Sequence, residues 1–223
     1  MKLRETPWLI FFVFTFFLTT GLRAESPIED IFRHPLSSQT QDAFTITCAR
    51  LSEHPIVKGS FEQEKVLNRL NRSLKSSGNF IISAEQGMVW DTAKPFPSTL
   101  VLGKDYLIQG RPGGQKTVMS AAGNETFIRM AEVISAVFSG HSQELLDNFE
   151  VFYSGDPAAW ELGLLSIDKA LSHFAGRITM TGDSAIRSII VYEQNGDAIK
   201  YLLQDYNYPK NLSVHEKTFF SLP

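Results

Sequence analysis

Short runs of alternating apolar and polar residues dominate the chain after Ile56. Most of them end at Gly, Pro, Asn or Asp, as is typical of antiparallel strands joined by tight turns. The predicted strands are Ile56–Leu67, Gly78–Ser83, Gly87–Asp91, Ser98–Leu102, Asp105–Gln109, Gln115–Ser120, Val151–Ser154, Trp160–Leu165, Arg177–Gly182, Ser188–Glu193 and Ala198–Gln204. No β-α-β alternation appears, which argues against a doubly wound nucleotide-binding fold.

Helical spacing occurs before the strands and again between them. Residues 27–51 predict two short helices, or one helix broken near Pro35. The clearest helix follows Asn124 as its N-cap and ends at Gly140. Its apolar stripe consists of Phe127, Met130, Ala131, Ile134, Val137 and Phe138. A shorter helix is expected over Ser142–Phe149, and one helical turn over Asp168–Phe174.

Several predicted strands are apolar on both faces, as in Phe80-Ile81-Ile82 and Leu100-Val101-Leu102. One face of such a sheet can pack against helices, whereas the other needs a second cover or a ligand. Twelve Phe residues and two Trp residues lie after residue 24, many of them on predicted strands. A strongly curved sheet with a helical lid over an apolar pocket is therefore predicted, and the pocket is of a kind that suits an acyl chain.

The N-terminus has the pattern of a secretory signal peptide. Lys2 and Arg4 precede an apolar run over residues 8–18, and Ala24 is a small residue at the expected cleavage point. We expect residues 1–24 to be removed and residues 25–223 to form a single domain. Glu25 would follow the cut, so the lipid anchor that a cysteine would carry there is not expected. This pattern predicts a periplasmic protein.

Charge and residue chemistry favour binding over catalysis. Beyond residue 24 the chain has 18 basic and 23 acidic residues, a balance that argues against nucleic acid as a partner. Cys48 is the only cysteine, and a buried apolar role is expected for it. The five histidines lack the i, i+4 spacing of a helical metal pair, and no G-x-S-x-G elbow is present. No catalytic residue, metal or cofactor is predicted.

Charged residues near the first predicted hairpin have a structural interpretation. Glu62 and Glu64 could form an acid/base pair, but a solvated strand face is the favoured reading. A locally basic group is expected in a solvated loop, where contact with acidic partners or lipid head groups is the alternative. It consists of Lys65, Arg69, Arg72 and Lys75.

Several short motifs, in this order, resemble the LolA family of periplasmic lipoprotein carriers. The first half contains Phe61-x-Gln63, a strand that begins at Gly78, Gly87-x-x-Trp90 and then Pro95. The second half contains the motifs Ile128–Ser139, Leu145-x-x-x-Phe149, Trp160-Glu-Leu-Gly-Leu-Leu165 and Ile190-x-x-x-Gln194-Asn-Gly-Asp197. The resemblance covers roughly residues 56–212.

This resemblance implies a mainly β fold with helices (α+β). The fold would be an incomplete antiparallel β-barrel of about 11 strands with a helical lid over a hydrophobic concave face. The family shields lipoprotein acyl chains in the periplasm, which implies an inner-membrane ABC-type releasing complex and an outer-membrane acceptor as partners. The best-known carriers have an arginine before the tryptophan that latches the lid, whereas Met88 and Val89 precede Trp90 here.

The leading hypothesis is a soluble, monomeric periplasmic carrier for acylated lipoprotein or a related lipid, and not an enzyme. The residues expected to line the pocket or lid are Phe61, Phe80, Ile82, Trp90, Leu100, Leu102, Phe127, Met130, Ile134 and Val137. A shift of one residue in strand parity would replace Ile82 by Ile81. The alternatives are a periplasmic lipid-ester hydrolase, a carrier or accessory protein for a glycolipid or other acylated envelope product, and a non-catalytic scaffold with a packed core.

Overall fold

The computed structural model describes residues 30–111, 114–120, 136–138, 140–167, 172 and 176–222. The predicted signal peptide, the segment 121–135 and the turn around Asp168–Phe174 lie wholly or mostly outside these residues. Three of the predicted site residues, Phe127, Met130 and Ile134, are also outside them.

Eleven antiparallel strands form one open sheet, which confirms the predicted fold class. In chain order, β1 to β11 span Ile56–Leu67, Arg72–Ser83, Gly87–Lys94, Ser98–Leu102, Tyr106–Gly110, Thr117–Ser120, Phe149–Asp156, Ala159–Ser166, Arg177–Gly182, Ile186–Tyr192 and Ala198–Asn207. Their order across the sheet is β6-β5-β4-β3-β2-β1-β11-β10-β9-β8-β7. Among the described residues the edge strands β6 and β7 are not paired with each other, so the barrel is incomplete.

Short helices flank the sheet. A 3-10 turn at Asp30–Arg33 precedes α1 (Gln41–Leu51), residues 136–138 are helical, and α2 (Ser142–Asn148) leads directly into β7. The C-terminal segment contains α3 (Val214–Lys217) and a 3-10 turn at Thr218–Phe220. No helix in the described part of the chain is long and apolar enough to cross a membrane.

The hairpin between β1 and β2 is longer than its apolar pattern predicts. Strand β2 begins at Arg72 instead of Gly78, and its pairing with β1 continues without a shift to Leu67↔Arg72. Asn71 adopts a left-handed conformation (φ 48°) that reverses the chain, a conformation that Asn tolerates better than most residues. The prediction of a solvated basic loop is therefore wrong for Arg72 and Lys75, which lie on a strand.

The inner face of the sheet is the one that carries Phe61 and packs against α1 and α2. Its core joins Phe44 and Cys48 of α1, Leu145 of α2 and the inward side chains of β7 to β11. At the centre of the α1 contact, the Thr47 and Tyr153 hydroxyls form a buried hydrogen bond of 2.8 Å. This bond satisfies two polar groups that would otherwise be buried without a partner.

The opposite, outer face has its own core beneath the C-terminal segment. Leu212 and Phe220 pack against strand residues Ile56, Ile81, Val89, Val101 and Ile108. Lys58 pairs with Glu216 of α3, and the Tyr106 hydroxyl donates to the Phe220 carbonyl at 2.5 Å. The C-terminal segment therefore places α3 on the outer face, so helices lie on both faces of the sheet.

Candidate functional site

All six strand residues predicted for the site lie on the inner face. Trp90 on β3 pairs with Phe80 on β2 and with Leu100 on β4. Met88 on β3 likewise pairs with Ile82 on β2 and with Leu102 on β4. Ile81 lies on the outer face with Val89 and Val101. Strand parity therefore places Ile82, and not Ile81, on the face of the proposed pocket.

Two reciprocal glycine–phenylalanine pairs shape the middle of this face. Gly59 lies opposite Phe80, and Phe61 lies opposite Gly78 on the paired strands β1 and β2. A Cβ atom at Gly59 would lie 2.6 Å from the Phe80 ring, so the ring occupies the space that a side chain would fill. Covering a strand glycine with an aromatic ring recovers packing that the glycine lacks. Gly59 thus lets the Phe80 ring lie close to the sheet, whereas a Cβ atom at Gly78 would meet the backbone of Asp91 at 2.0 Å.

These rings form the centre of an aromatic cluster around Trp90. Phe61 stacks on Trp90 with ring centroids 4.0 Å apart, and Tyr201 meets the same indole edge-on at 5.5 Å. Phe61 and Phe80 are 2% and 1% exposed, whereas Trp90 and Tyr201 are half-buried. The cluster therefore presents part of its aromatic surface beyond the packed core.

The inner face of β2 to β6 is apolar but less fully covered than that of β7 to β9. Met88, Leu102 and Leu107 are buried there. The partly buried side chains packed around them are Ile82, Trp90, Leu100, Met119 and Phe138. Among the described residues, α1 and α2 make their main strand contacts with β7, at the opposite edge of the sheet. This half of the sheet therefore offers apolar surface to a cover or a ligand.

The end of the predicted lid helix touches both halves of the inner face. Residues 136–138 are helical, and Val137 is 6% exposed within the core of the inner face. Phe138 packs against that core and against the Met88–Leu102–Leu107 group. Of the predicted lid residues, Val137 alone is described, and it lies against the inner face.

Polar residues that the sequence interpretation missed lie beside the aromatic cluster. Gln63 and Lys65 follow Phe61 at two-residue spacing on β1, so all three side chains are on the inner face. Lys65 pairs with Glu193 at 2.8 Å, with only 6% and 10% of the two side chains exposed. The two-residue spacing from Phe61 is the signal that could have identified them. Lys65 is therefore not part of a solvated loop.

Glu62 and Glu64 lie on the outer face, in agreement with the prediction that they form a solvated strand face. They border a groove of about 380 Å³ that mixes carboxylate and ammonium groups. Glu64 and Lys75 are 3.9 Å apart, and both are exposed. The lining residues are Glu62, Gln63, Glu64, Lys75, Ser76, Ser77, Lys94, Pro95, Lys200 and Leu202. Exposed ion pairs of this kind contribute little to stability.

The described residues contain no group of three or more His, Cys, Asp or Glu side chains that could hold a metal ion. Cys48 lies on the buried side of α1, and burial raises the pKa of its thiol to about 12. A thiol in that environment is protonated at neutral pH and is a poor nucleophile. The cysteine therefore has the packing role that the sequence indicated.

Comparison with solved structures finds proteins of similar fold. A LolA superfamily protein from Nitrosomonas europaea is 8% identical, with a TM-score of 0.44 over 84% of this chain and 98% of that one. A DUF1329 family protein from Desulfovibrio piger is 9% identical (TM-score 0.47; 83% and 98% covered). The lipoprotein LppX from Mycobacterium tuberculosis is 10% identical (TM-score 0.43; 79% and 100% covered).

Neither the known family models nor the curated proteins include a match to the chain. Likeness at 8 to 10% identity and TM-scores below 0.5 assigns no ligand, so the site is interpreted from its own residues.

Proposed function

We propose that this protein binds acyl chains against the inner face of its sheet and carries them, within a lipoprotein or a related lipid, across an aqueous compartment. The observation that carries the proposal is the row of half-buried apolar side chains on β2 to β6. Ile82, Trp90 and Leu100 belong to this row and lie on one face, beside a fully packed aromatic core.

The energetics of this surface suit a carrier. Burying a methylene group is worth about 0.8 kcal/mol, so covering ten of them supplies about 8 kcal/mol. That gain keeps an acyl chain out of water, while the costs of association reduce the net affinity and allow release. Leu100 and Trp90 already bury part of their surface in the free protein, which reduces the net gain further.

The cellular route belongs to the same proposal. Cleavage after Ala24 would place residues 25–223 in the periplasm, as one domain. The partners would be an inner-membrane ABC-type complex that loads the carrier and an outer-membrane acceptor that unloads it. N-terminal sequencing of the protein recovered from the periplasm tests the cleavage point, and Glu25 is the expected first residue.

The first experiment identifies the cargo. The protein is purified from a periplasmic extract without detergent and measured by native mass spectrometry. We expect a bound species with intact acyl chains, either a lipoprotein or a smaller lipid. Recovery of the free protein alone from cells and from lipid-supplemented extract would contradict the proposal. Release of free fatty acid from the supplied lipid would favour the hydrolase alternative instead.

The second experiment compares charged substitutions on the two faces of one strand. Met119 and Val118 are neighbours on β6 that pair with Leu107 and Ile108, so they lie on the inner and outer faces. Burying an aspartate beside an alkyl chain is strongly unfavourable. Met119→Asp should weaken binding of the fluorescent probe 1-N-phenylnaphthylamine about tenfold or more, whereas Val118→Asp should change it by less than about twofold.

Leu100→Asp is a second inner-face variant and should behave like Met119→Asp. Circular dichroism must show that each variant retains its strand content. Equal probe affinity in the inner- and outer-face variants would show that the inner face of the sheet is not the binding surface.

Trp90 provides an independent optical test. Its indole is half-buried in the proposed site, whereas the Trp160 indole is 3% exposed and donates to the Asp183 carbonyl at 2.8 Å. Adding an acyl ligand should shift the emission of a Trp160→Phe variant to shorter wavelength, since water leaves the Trp90 ring. The same ligand should leave the emission of a Trp90→Phe variant unchanged. A shift in the second variant alone would place the ligand elsewhere.

A further inference from the structure

One buried amide on the inner face lacks a hydrogen-bond partner. Gln63 is only 4% exposed, and its Nε2 atom makes no hydrogen bond. It is the one buried side-chain nitrogen or oxygen without a partner among the described residues. An unsatisfied buried donor costs about 1–3 kcal/mol. Native proteins rarely retain such a group unless a ligand, an ion or a water molecule uses it.

The position of Gln63 on the sheet is well defined. Along β1 it lies between Phe61 and Lys65 on the inner face, and the burial of the strand alternates accordingly. Across the ladder it pairs with Ser76 on β2 and with Tyr201 on β11. The unpartnered amide is therefore one strand away from the Tyr201 ring that meets Trp90 at 5.5 Å.

The inner face changes chemically along β1 at this residue. Before Gln63 lies Phe61, stacked on Trp90 in the aromatic cluster. After it lies Lys65, paired with Glu193 in a nearly solvent-free ion pair. Gln63 is thus the boundary between an apolar surface and a polar one. An acylated lipid has the same boundary, at the carbonyl group that joins its alkyl chain to its head group.

We infer, on the basis of the proposed function, that Gln63 Nε2 donates a hydrogen bond to the carbonyl oxygen of an acyl ester or acyl amide. The alkyl chain then extends from Gln63 toward the half-buried Trp90, which covers Phe61, and the head group lies toward Lys65 and Glu193. The ligand class is accordingly an ester- or amide-linked acyl lipid, and not a hydrocarbon or an alkyl ether.

The charges at the boundary favour a neutral acceptor. The ammonium group of Lys65 is already neutralised by Glu193 at 2.8 Å, so no unbalanced cation is available there for a phosphate or a free carboxylate. A carbonyl oxygen is the acceptor that this uncharged amide matches.

Two lipids that differ only at the carbonyl group test the inference. These are 1-palmitoyl-lysophosphatidylcholine and its 1-O-hexadecyl ether analogue, each used below its micelle concentration to displace 1-N-phenylnaphthylamine from the full chain. A net hydrogen bond of about 0.5–1.5 kcal/mol corresponds to a preference of roughly 2- to 10-fold for the ester. Gln63→Met retains the length of the side chain and removes the donor. It should abolish the preference by weakening the ester while leaving the ether unchanged.

Gln204→Met is the matched control, because Gln204 is an exposed residue on the adjacent strand β11. That variant should keep the ester preference of the wild-type chain. Gln63→Met should unfold at the same temperature or a higher one, since it removes an unsatisfied buried donor. Equal binding of ester and ether by the wild-type chain, or a preference that survives Gln63→Met, overturns the inference but leaves the proposed function intact. If neither lipid displaces the probe, both proposals fail.

Discussion

The buried hydrogen bond between Thr47 and Tyr153 should be the main polar attachment of α1 to the sheet. Thr47→Val preserves the shape of the side chain and removes its hydroxyl. Thr47 and Tyr153 are 4% and 1% exposed, so water cannot replace the lost partner. The remaining contact of the Tyr153 hydroxyl, with the Ala43 carbonyl, is long at 3.4 Å. We expect a loss of about 1–3 kcal/mol in the free energy of unfolding.

Urea unfolding followed by circular dichroism gives this free energy, and calorimetry gives the shift in Tm. A loss of 2 kcal/mol should lower Tm by roughly 4–8 °C for a domain of this size. Thr45→Val is the control, because Thr45 is exposed on the same helix and its hydroxyl donates only to the Gln41 carbonyl, at 2.9 Å. The control should stay within about 0.5 kcal/mol of wild type.

A double-mutant cycle separates the bond from the packing around it. Tyr153→Phe removes the other hydroxyl, and the double variant leaves neither group unsatisfied. Its destabilisation should therefore be smaller than the sum of the single losses by about 1 kcal/mol. Additive losses, or a Thr47→Val variant as stable as Thr45→Val, would refute the role assigned to this hydrogen bond.

Three further predictions concern Glu216, two turn glycines and Cys48. The hydrogen bond and charge of Lys58 lower the pKa of Glu216 to about 2. The ionised Glu216 carboxylate should therefore contribute fully to stability above about pH 4.5, and this contribution should be lost as the pH falls toward 2. Glu216→Gln should make the stability less dependent on pH in that range, as measured by acid unfolding. Gly87→Ala should destabilise far more than Gly196→Ala, because φ is positive at both but a Cβ at Gly87 would lie 2.0 Å from a carbonyl oxygen while one at Gly196 meets nothing within 4 Å. Equal urea midpoints for the two variants would contradict this. The Cys48 thiol, with its pKa raised to about 12 by burial, should react with Ellman's reagent only after unfolding, and rapid native labelling would disprove its burial.

The sheet could be predicted from the sequence because each strand and each turn is marked by residues that are close together in the chain. Two-residue alternation marks each strand, and turn residues separate them. Asn195-Gly196, for example, lies between β10 and β11, and Gly196 has the positive φ (88°) that such a turn favours. The face on which each strand residue of the site lies could be predicted for the same reason. Side chains alternate along a strand, so placing Phe80 on the inner face also places Ile82 there.

Features that depend on distant partners were not predictable in this way. The burial of Lys65 requires Glu193, which is 128 residues away in sequence. The cover over the outer face depends on Leu212 and Phe220, whose spacing has no strand or helix period. Strand β2 starts early because polar residues after Arg72 pair along β1, and nothing in their hydropathy indicates it.

The C-terminal cover over the outer face has a consequence for ligand exchange. Strands β2 to β5 are held from outside by packing on Ile81, Val89, Val101 and Ile108, independently of whatever lies on their inner face. The backbone amides of these strands should therefore remain protected from hydrogen exchange whether or not cargo is bound. If the proposed function holds, uptake and release of the lipid would then proceed as local rearrangements at the surface of a persistent sheet, without partial unfolding of the domain.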